Sequence, residues 1–223
     1  ATALAAPASP EKGRHPLPTP EDFAAAMSRA GIGDDTTVVA YDDAGNVMAA
    51  RLIWMLRTTG HRAALLDGGL SAAGSGELER RRTVLPEARF TPVPWPPDAL
   101  ASIDEAVHGP LVVDARDRTR FAGNTPDPVD PRSGHIPGAV NVPCREHLTE
   151  RQTLQPVEQL RERFERAGVT DAHHMISYCG SGVTACHNLL VAEHAGLGTG
   201  RLFPGSWSQY SHTDRPVETS PQG

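Results

Sequence analysis

The stretch Met175–Leu190, MISYCGSGVTACHNLL, decides how this chain is read. Met175, Ile176 and Tyr178 predict a buried strand, Gly180 and Gly182 a loop, and the residues from about Val183 onward a helix. Cys179 stands at the tip of the strand, where glycines let successive backbone N–H groups turn towards its sulfur. The positive end of the following helix adds to the field. Both effects favour thiolate over thiol, and the thiolate is the reactive form. Cys179 is therefore the candidate nucleophile. The plainer alternative, a buried structural thiol, does not account for the loop.

Working outward, Thr19-Pro20-Glu21-Asp22 reads as a helix start, with a capping residue, proline in the first turn and two acids; the helix is predicted to end at Gly31. Thr36–Tyr41 reads as a strand, Val47–Thr59 as a helix closed by Gly60, and Ala63–Leu66 as a strand. From Ala73 to about Asp98 the chain is rich in Gly, Arg and Pro and reads as a linker. Strand signals return at Leu111–Asp114 and Val140–Val142, a helix at Pro156–Ala167, and a last strand at Arg201–Phe203. Strands alternating with helices predict an α/β fold with a mainly parallel sheet. Ligands of such sheets bind at the carboxyl ends of strands, where Cys179 falls.

The same unit occurs twice. Ala30-Gly31, Tyr41, Gly60 and Gly69 recur as Ala167-Gly168, Tyr178, Gly196 and Gly205 at offsets of 136 to 137 residues. The predicted division is residues 1–97 for the first unit with its linker and 98–223 for the second. Asp42 stands where the second copy has Cys179, so the first unit is expected to be scaffold. At this spacing a first copy of the leading strand would precede residue 1 by roughly 25 residues, so the first unit is expected to be incomplete.

Composition narrows the function classes. The chain has 223 residues, 39% of them hydrophobic, and a formal charge of −6. That charge argues against nucleic acid as a partner, and the short, interrupted apolar runs argue against a membrane span. Cys144, Cys179 and Cys186 are too few for a disulfide framework, so a reducing, cytoplasmic setting is expected. His173-His174 and His187/His194 have no partners at metal-ligand spacing, and neither metal nor cofactor is predicted.

Taken together, VDAR (113–116), Arg120-Phe121, GHIPGA (134–139), CGSGVTA (179–185) and PGSW (204–207) resemble the two-domain rhodanese-type sulfurtransferases. HPLP (15–18), YDD (41–43) and LDGGL (66–70) are similar to the inactive first domain of that family. The resemblance implies tandem rhodanese-like domains, the first incomplete, each a mainly parallel sheet flanked by helices. It also implies that Cys179 takes a sulfane sulfur from a small anionic donor and passes it to cyanide, a thiol or a thioredoxin-like acceptor. Cys-Gly-Ser-Gly-Val-Thr, without a cation, resembles the loops of members that prefer 3-mercaptopyruvate over thiosulfate. Gly180, Gly182, Val183 and Thr184 then line the substrate loop, with Ser181 as a catalytic partner of Cys179. Arg120 matches the substrate-binding arginine, and a guanidinium suits a planar carboxylate. Arg116 is assigned to substrate binding or to holding the loop through Asp114. A second substrate arginine of the subfamily falls on Val129, with Arg132 as the nearest replacement. The resemblance pairs Ser181 with a histidine and an aspartate of the first domain's early portion, and both are expected to lie ahead of residue 1. His135 is expected to fix its turn, and Cys186 to pack in the core rather than act as a redox partner.

Two other classes share the fold. Dual-specificity phosphatases need an arginine where this chain has Ala185, so a phosphoryl group would lose its bidentate clamp. A truncated, non-catalytic rhodanese-like module that binds partners or anions is the other reading: retention of Cys179 argues against it, and the missing first-domain segment argues for it in this piece.

Overall fold

A computed structural model describes residues 3–72 and 83–220 of the chain. In chain order the first unit holds α1 (Pro20–Arg29), β1 (Val38–Ala40), α2 (Ala50–Thr58), β2 (Ala63–Leu65) and α3 (Gly69–Ala72). The second holds α4 (Ile103–His108), β3 (Leu111–Asp114), α5 (Arg118–Ala122), β4 (Val140–Asn141), α6 (Val157–Arg166), β5 (Met175–Tyr178), α7 (Ala185–His194), β6 (Arg201–Leu202) and α8 (Ser206–Tyr210).

Local sequence explains the ends of these elements. Thr19 Oγ1 caps α1 by accepting the N–H of Asp22 at 3.1 Å, with Pro20 in the first turn. Ser102 and Glu105 close a reciprocal capping box on α4, a helix that the sequence reading did not pick out. The expected helix after Cys179 begins at Ala185 rather than Val183. Gly182, at φ +76°, turns the chain left-handed there, and the residues up to Thr184 still belong to the loop.

β1 and β2 form a two-stranded parallel sheet. The second sheet is parallel in the order β4-β3-β5-β6, with β3 and β5 central. Val113, Met175 and Ile176 on these strands are fully buried, each contributing about 1.5–3 kcal/mol of apolar burial. One apolar cluster crosses between the units: Ile53, Met55 and Leu56 of α2 share it with Leu189 and Val191 of α7. The two helices that the repeat equates thus pack on one another.

Of the expected linker, residues 73–82 lie outside the described residues. Residues 83–96 have no helix or strand, as expected of a linker, but they are packed down. Phe90 is buried, edge-on to Phe23 at 5.7 Å and stacked on His61 at 4.2 Å. Trp95 Nε1 donates to the carbonyl of Pro18 at 2.8 Å. Two aromatic side chains turn this segment into a strap across the first unit.

Candidate active site

Asp114 of β3 pairs in register with Tyr178 of β5, so the segments Ala115-Arg116 and Cys179-Gly180 leave the sheet side by side at its carboxyl end. The N–H groups of Ser181 and Gly182 point at Cys179 Sγ, at 3.4 and 3.1 Å. Two loop donors therefore reach the sulfur. The loop is held from behind: Trp207 and Ser208 N–H donate to the carbonyls of Cys179 and Gly180, both at 2.9 Å, and Cys179 N–H donates to Ser206 Oγ at 3.1 Å. Only glycine fits at 182, where a methyl group would meet Pro204 O at 2.5 Å.

An ion-pair network flanks the loop. Arg120 is gripped by Asp127, Nε to Oδ2 at 3.0 Å and Nη2 to Oδ1 at 3.1 Å, and by Asp130 at 2.9 Å. Asp130 also pairs with Arg14. Both aspartate side chains are buried, so the guanidiniums are set by fixed carboxylates. A methyl group on Gly180 would meet Arg14 Nη2 at 3.0 Å and Arg120 Nη1 at 3.1 Å. These nitrogens, which hold none of the carboxylate bonds, face the loop beside Cys179.

Arg116 is placed differently. It is buried, bonded to Asp114 through Nε and Nη2 and to the carbonyl of Gly134 at 2.7 Å, with its guanidinium 4.6 Å from the Trp207 ring centroid. Of its two assigned roles, this geometry is that of a strut. Arg132 does not reach the loop; it binds the carbonyls of Thr213 and Arg215, while Val129 is exposed. His135 bonds Phe121 O at 2.7 Å and stacks on the Phe121 ring.

The expectation that Ser181 lacks a partner is overturned in part. His15 Nδ1 lies 2.7 Å from Ser181 Oγ, 166 residues away in sequence. The resemblance, with the first unit read as incomplete, puts this histidine ahead of residue 1, whereas it is the first residue of the HPLP segment. Among the described residues no carboxylate bonds the other ring nitrogen. Burial, then the charges of Arg14 and Arg51, holds His15 below the usual histidine range, so it is neutral at pH 7 and able to take a proton. Arg51 was not singled out in the sequence. It comes from α2, is buried, and donates to Gly182 O at 2.6 Å and to His15 O at 3.1 Å. It thereby ties both halves of the site together. An arginine opening an apolar run, Arg51-Leu52-Ile53-Trp54-Met55, was the available signal.

A cleft of about 360 Å³ opens over Cys179, lined among others by His15, Met48, Arg120, Cys144, Ser181, Val183 and Thr184. Gly182 lies behind the sulfur and is not in the lining. Burial pushes the Cys144 thiol up to about 12, helped by the nearby Cys179, and burial likewise pushes Cys186 up to about 12. Both are protonated at neutral pH and poor nucleophiles. Cys186 is wholly buried, its thiol directed to Gly182 O at 3.4 Å.

The first unit has a loop of the same plan around Asp42. Its carboxylate accepts the N–H groups of Ala44, Asn46, Met48 and Ala49 at 2.7–2.9 Å. An oxygen anion occupies the cradle that holds sulfur in the second copy.

A rhodanese-like domain profile matches residues 97–213. The chain belongs to the rhodanese family. It is 40% identical over 222 residues to a probable 3-mercaptopyruvate sulfurtransferase of Pseudomonas aeruginosa, covering 93% of this chain and 76% of the relative. The human 3-mercaptopyruvate sulfurtransferase is 35% identical over 226 residues, 94% of this chain and 74% of its own. The solved structure of the Leishmania major 3-mercaptopyruvate sulfurtransferase matches at a TM-score of 0.86 and 33% identity, over 97% of this chain and 62% of that one. These relatives place the chain among the rhodanese-type sulfurtransferases, α/β enzymes with parallel sheets and flanking helices. Among the described residues no helix is long and apolar enough to cross a membrane.

Proposed function

We propose that this chain transfers sulfane sulfur from 3-mercaptopyruvate, through a persulfide on Cys179, to a thiol or cyanide, in the reducing setting of the cytoplasm. Residues 98–223 form the catalytic unit and residues 1–97 the supporting one. The hydrogen bond between His15 and Ser181 beside Cys179 carries the choice of donor. The Cys179 thiolate attacks the donor sulfur and the S–C bond breaks. The electron pair leaves as the enolate of pyruvate, and Cys179 holds the persulfide. Two proton transfers are needed, from the donor S–H and to the enolate carbon; Ser181 takes the first while passing its own hydroxyl proton to neutral His15, and the same relay run backwards supplies the second. A thiosulfate donor would release sulfite, which needs neither.

Arg120 and Arg14 receive the donor carboxylate on the nitrogens that face Gly180. The N–H groups of Ser181 and Gly182 hold the sulfur as thiolate and persulfide. Arg116 keeps the loop in place rather than touching substrate.

The test is steady-state sulfur transfer to cyanide with mercaptopyruvate and with thiosulfate, on the chain and on Cys179→Ser. The expected result is a preference for mercaptopyruvate and no transfer by the variant. Equal rates for the two proteins would remove the catalytic role of Cys179, and a thiosulfate preference would overturn the donor.

A further inference from the structure

Five arginines line the cleft over Cys179: Arg14, Arg116, Arg118, Arg120 and Arg145. Four of them already hold a carboxylate. Arg14 pairs with Asp130, Arg116 with Asp114, Arg118 with Glu146 at 2.6 Å, and Arg120 with Asp127 and Asp130. Arg145 is the exception among the described residues. Its one hydrogen bond is from Nη1 to the carbonyl of Ala44 at 3.2 Å, on the Asp42 loop of the first unit. That bond tethers the exposed guanidinium at the cleft without neutralising it. Beside it the cleft wall is apolar, formed by Met48, Pro143 and Cys144.

The cleft is thus cationic at two places. Near Gly180 the braced pair Arg14/Arg120 faces the loop, and at the rim stands an arginine with a free charge over an apolar wall. The donor has one carboxylate, and the braced pair accounts for it. We infer that Arg145 is a specificity-determining residue of the second half-reaction, binding the anionic group of a small carboxylate-bearing thiol that accepts the sulfur. This rests on the persulfide reading of Cys179. The acceptor thiolate attacks the outer sulfur of the Cys179 persulfide, and a new S–S bond forms on the acceptor. The old S–S bond breaks, and its electron pair returns to Cys179 as thiolate. No oxidant is consumed. The apolar wall takes the short carbon chain between thiol and carboxylate, and the guanidinium orients it.

The experiment isolates this half-reaction. Cys179 is loaded with sulfur either by mercaptopyruvate or directly by inorganic polysulfide, and single-turnover discharge is followed by mass spectrometry. The probes are 3-mercaptopropionate and the uncharged 2-mercaptoethanol, on the chain, on Arg145→Met and on Arg145→Lys. Arg145→Met is expected to raise the half-saturating concentration of 3-mercaptopropionate about fivefold or more, to leave that of 2-mercaptoethanol within about twofold, and to spare the loading step. Arg145→Lys is expected to recover part of the loss, and added salt to weaken the anionic acceptor in the chain but not in Arg145→Met. Equal responses to both thiols would overturn the inference, as would a defect confined to loading by mercaptopyruvate. Polysulfide loading separates the two readings, because a chain that loads only from polysulfide fails the donor proposal while the Arg145 comparison still returns its answer.

Discussion

Arg51 Nη1 donates to the carbonyl oxygen of Gly182 at 2.6 Å, so a helix of the first unit holds the loop that surrounds the sulfur of the second. Because Arg51 Nη2 also binds His15 O, one buried guanidinium sets the distance between the nucleophile loop and the histidine that serves it. Arg51→Met leaves both carbonyls short of a donor. The expected cost is about 1–3 kcal/mol in urea unfolding, with at least about a tenfold loss of kcat from misplacement of the loop. Unchanged activity in folded Arg51→Met would show that the tie is dispensable.

His15→Asn is expected to lower kcat with mercaptopyruvate by about a hundredfold and to change thiosulfate turnover by less than about threefold. The same contact dictates the acid limb of the pH–rate profile. His15 is held below the usual histidine range by burial, then by Arg14 and Arg51. Activity is therefore full at neutral pH and falls only as the pH drops below that range, where the ring becomes protonated and can no longer accept from Ser181. Arg14→Met removes one of the charges that depress it, so the acid limb should move to higher pH. A limb that stays in place would place the titration elsewhere.

Asp42 is expected to matter for stability and not for chemistry. Burial raises its carboxyl pKa, but the four N–H donors outweigh this, and the group is held below the usual aspartate range. The unfolded chain binds the proton more readily, so stability from this group is fully present above about pH 4 and is lost as pH falls through the depressed value. Asp42→Ala should cost about 1–3 kcal/mol at pH 7, a difference that shrinks in urea titrations below pH 4. Asp42 has no contact with Cys179, so loading of sulfur onto Cys179 in the folded variant should stay within about twofold of the parent.

Much of this molecule was legible in the sequence because its signals are local. Thr19-Pro20, the β-branched run at Thr36–Tyr41 and the glycines at 180 and 182 act within a few residues of themselves, and the elements formed where they were read. The strand-helix-strand order read for the first unit appears as β1, α2 and β2, and that read for the second as β5, α7 and β6. Ends shifted where a loop needed residues that pattern alone assigns to a helix, as at Val183-Thr184.

What sequence alone determined, then, is the α/β fold and Cys179 at a strand tip in a glycine loop. Only the tertiary structure decided who stands around that cysteine. His15 and Arg51 belong to the first unit, and Arg14 reaches the Arg120–Asp130 pair across 116 residues of chain. Whether a charge is spent on a carboxylate, as in Arg116, or left free at the rim, as in Arg145, depends on side-chain reach between packed elements. Local spacing carries no record of that reach, because it is fixed by α2 packing on α7, which brings the two copies face to face.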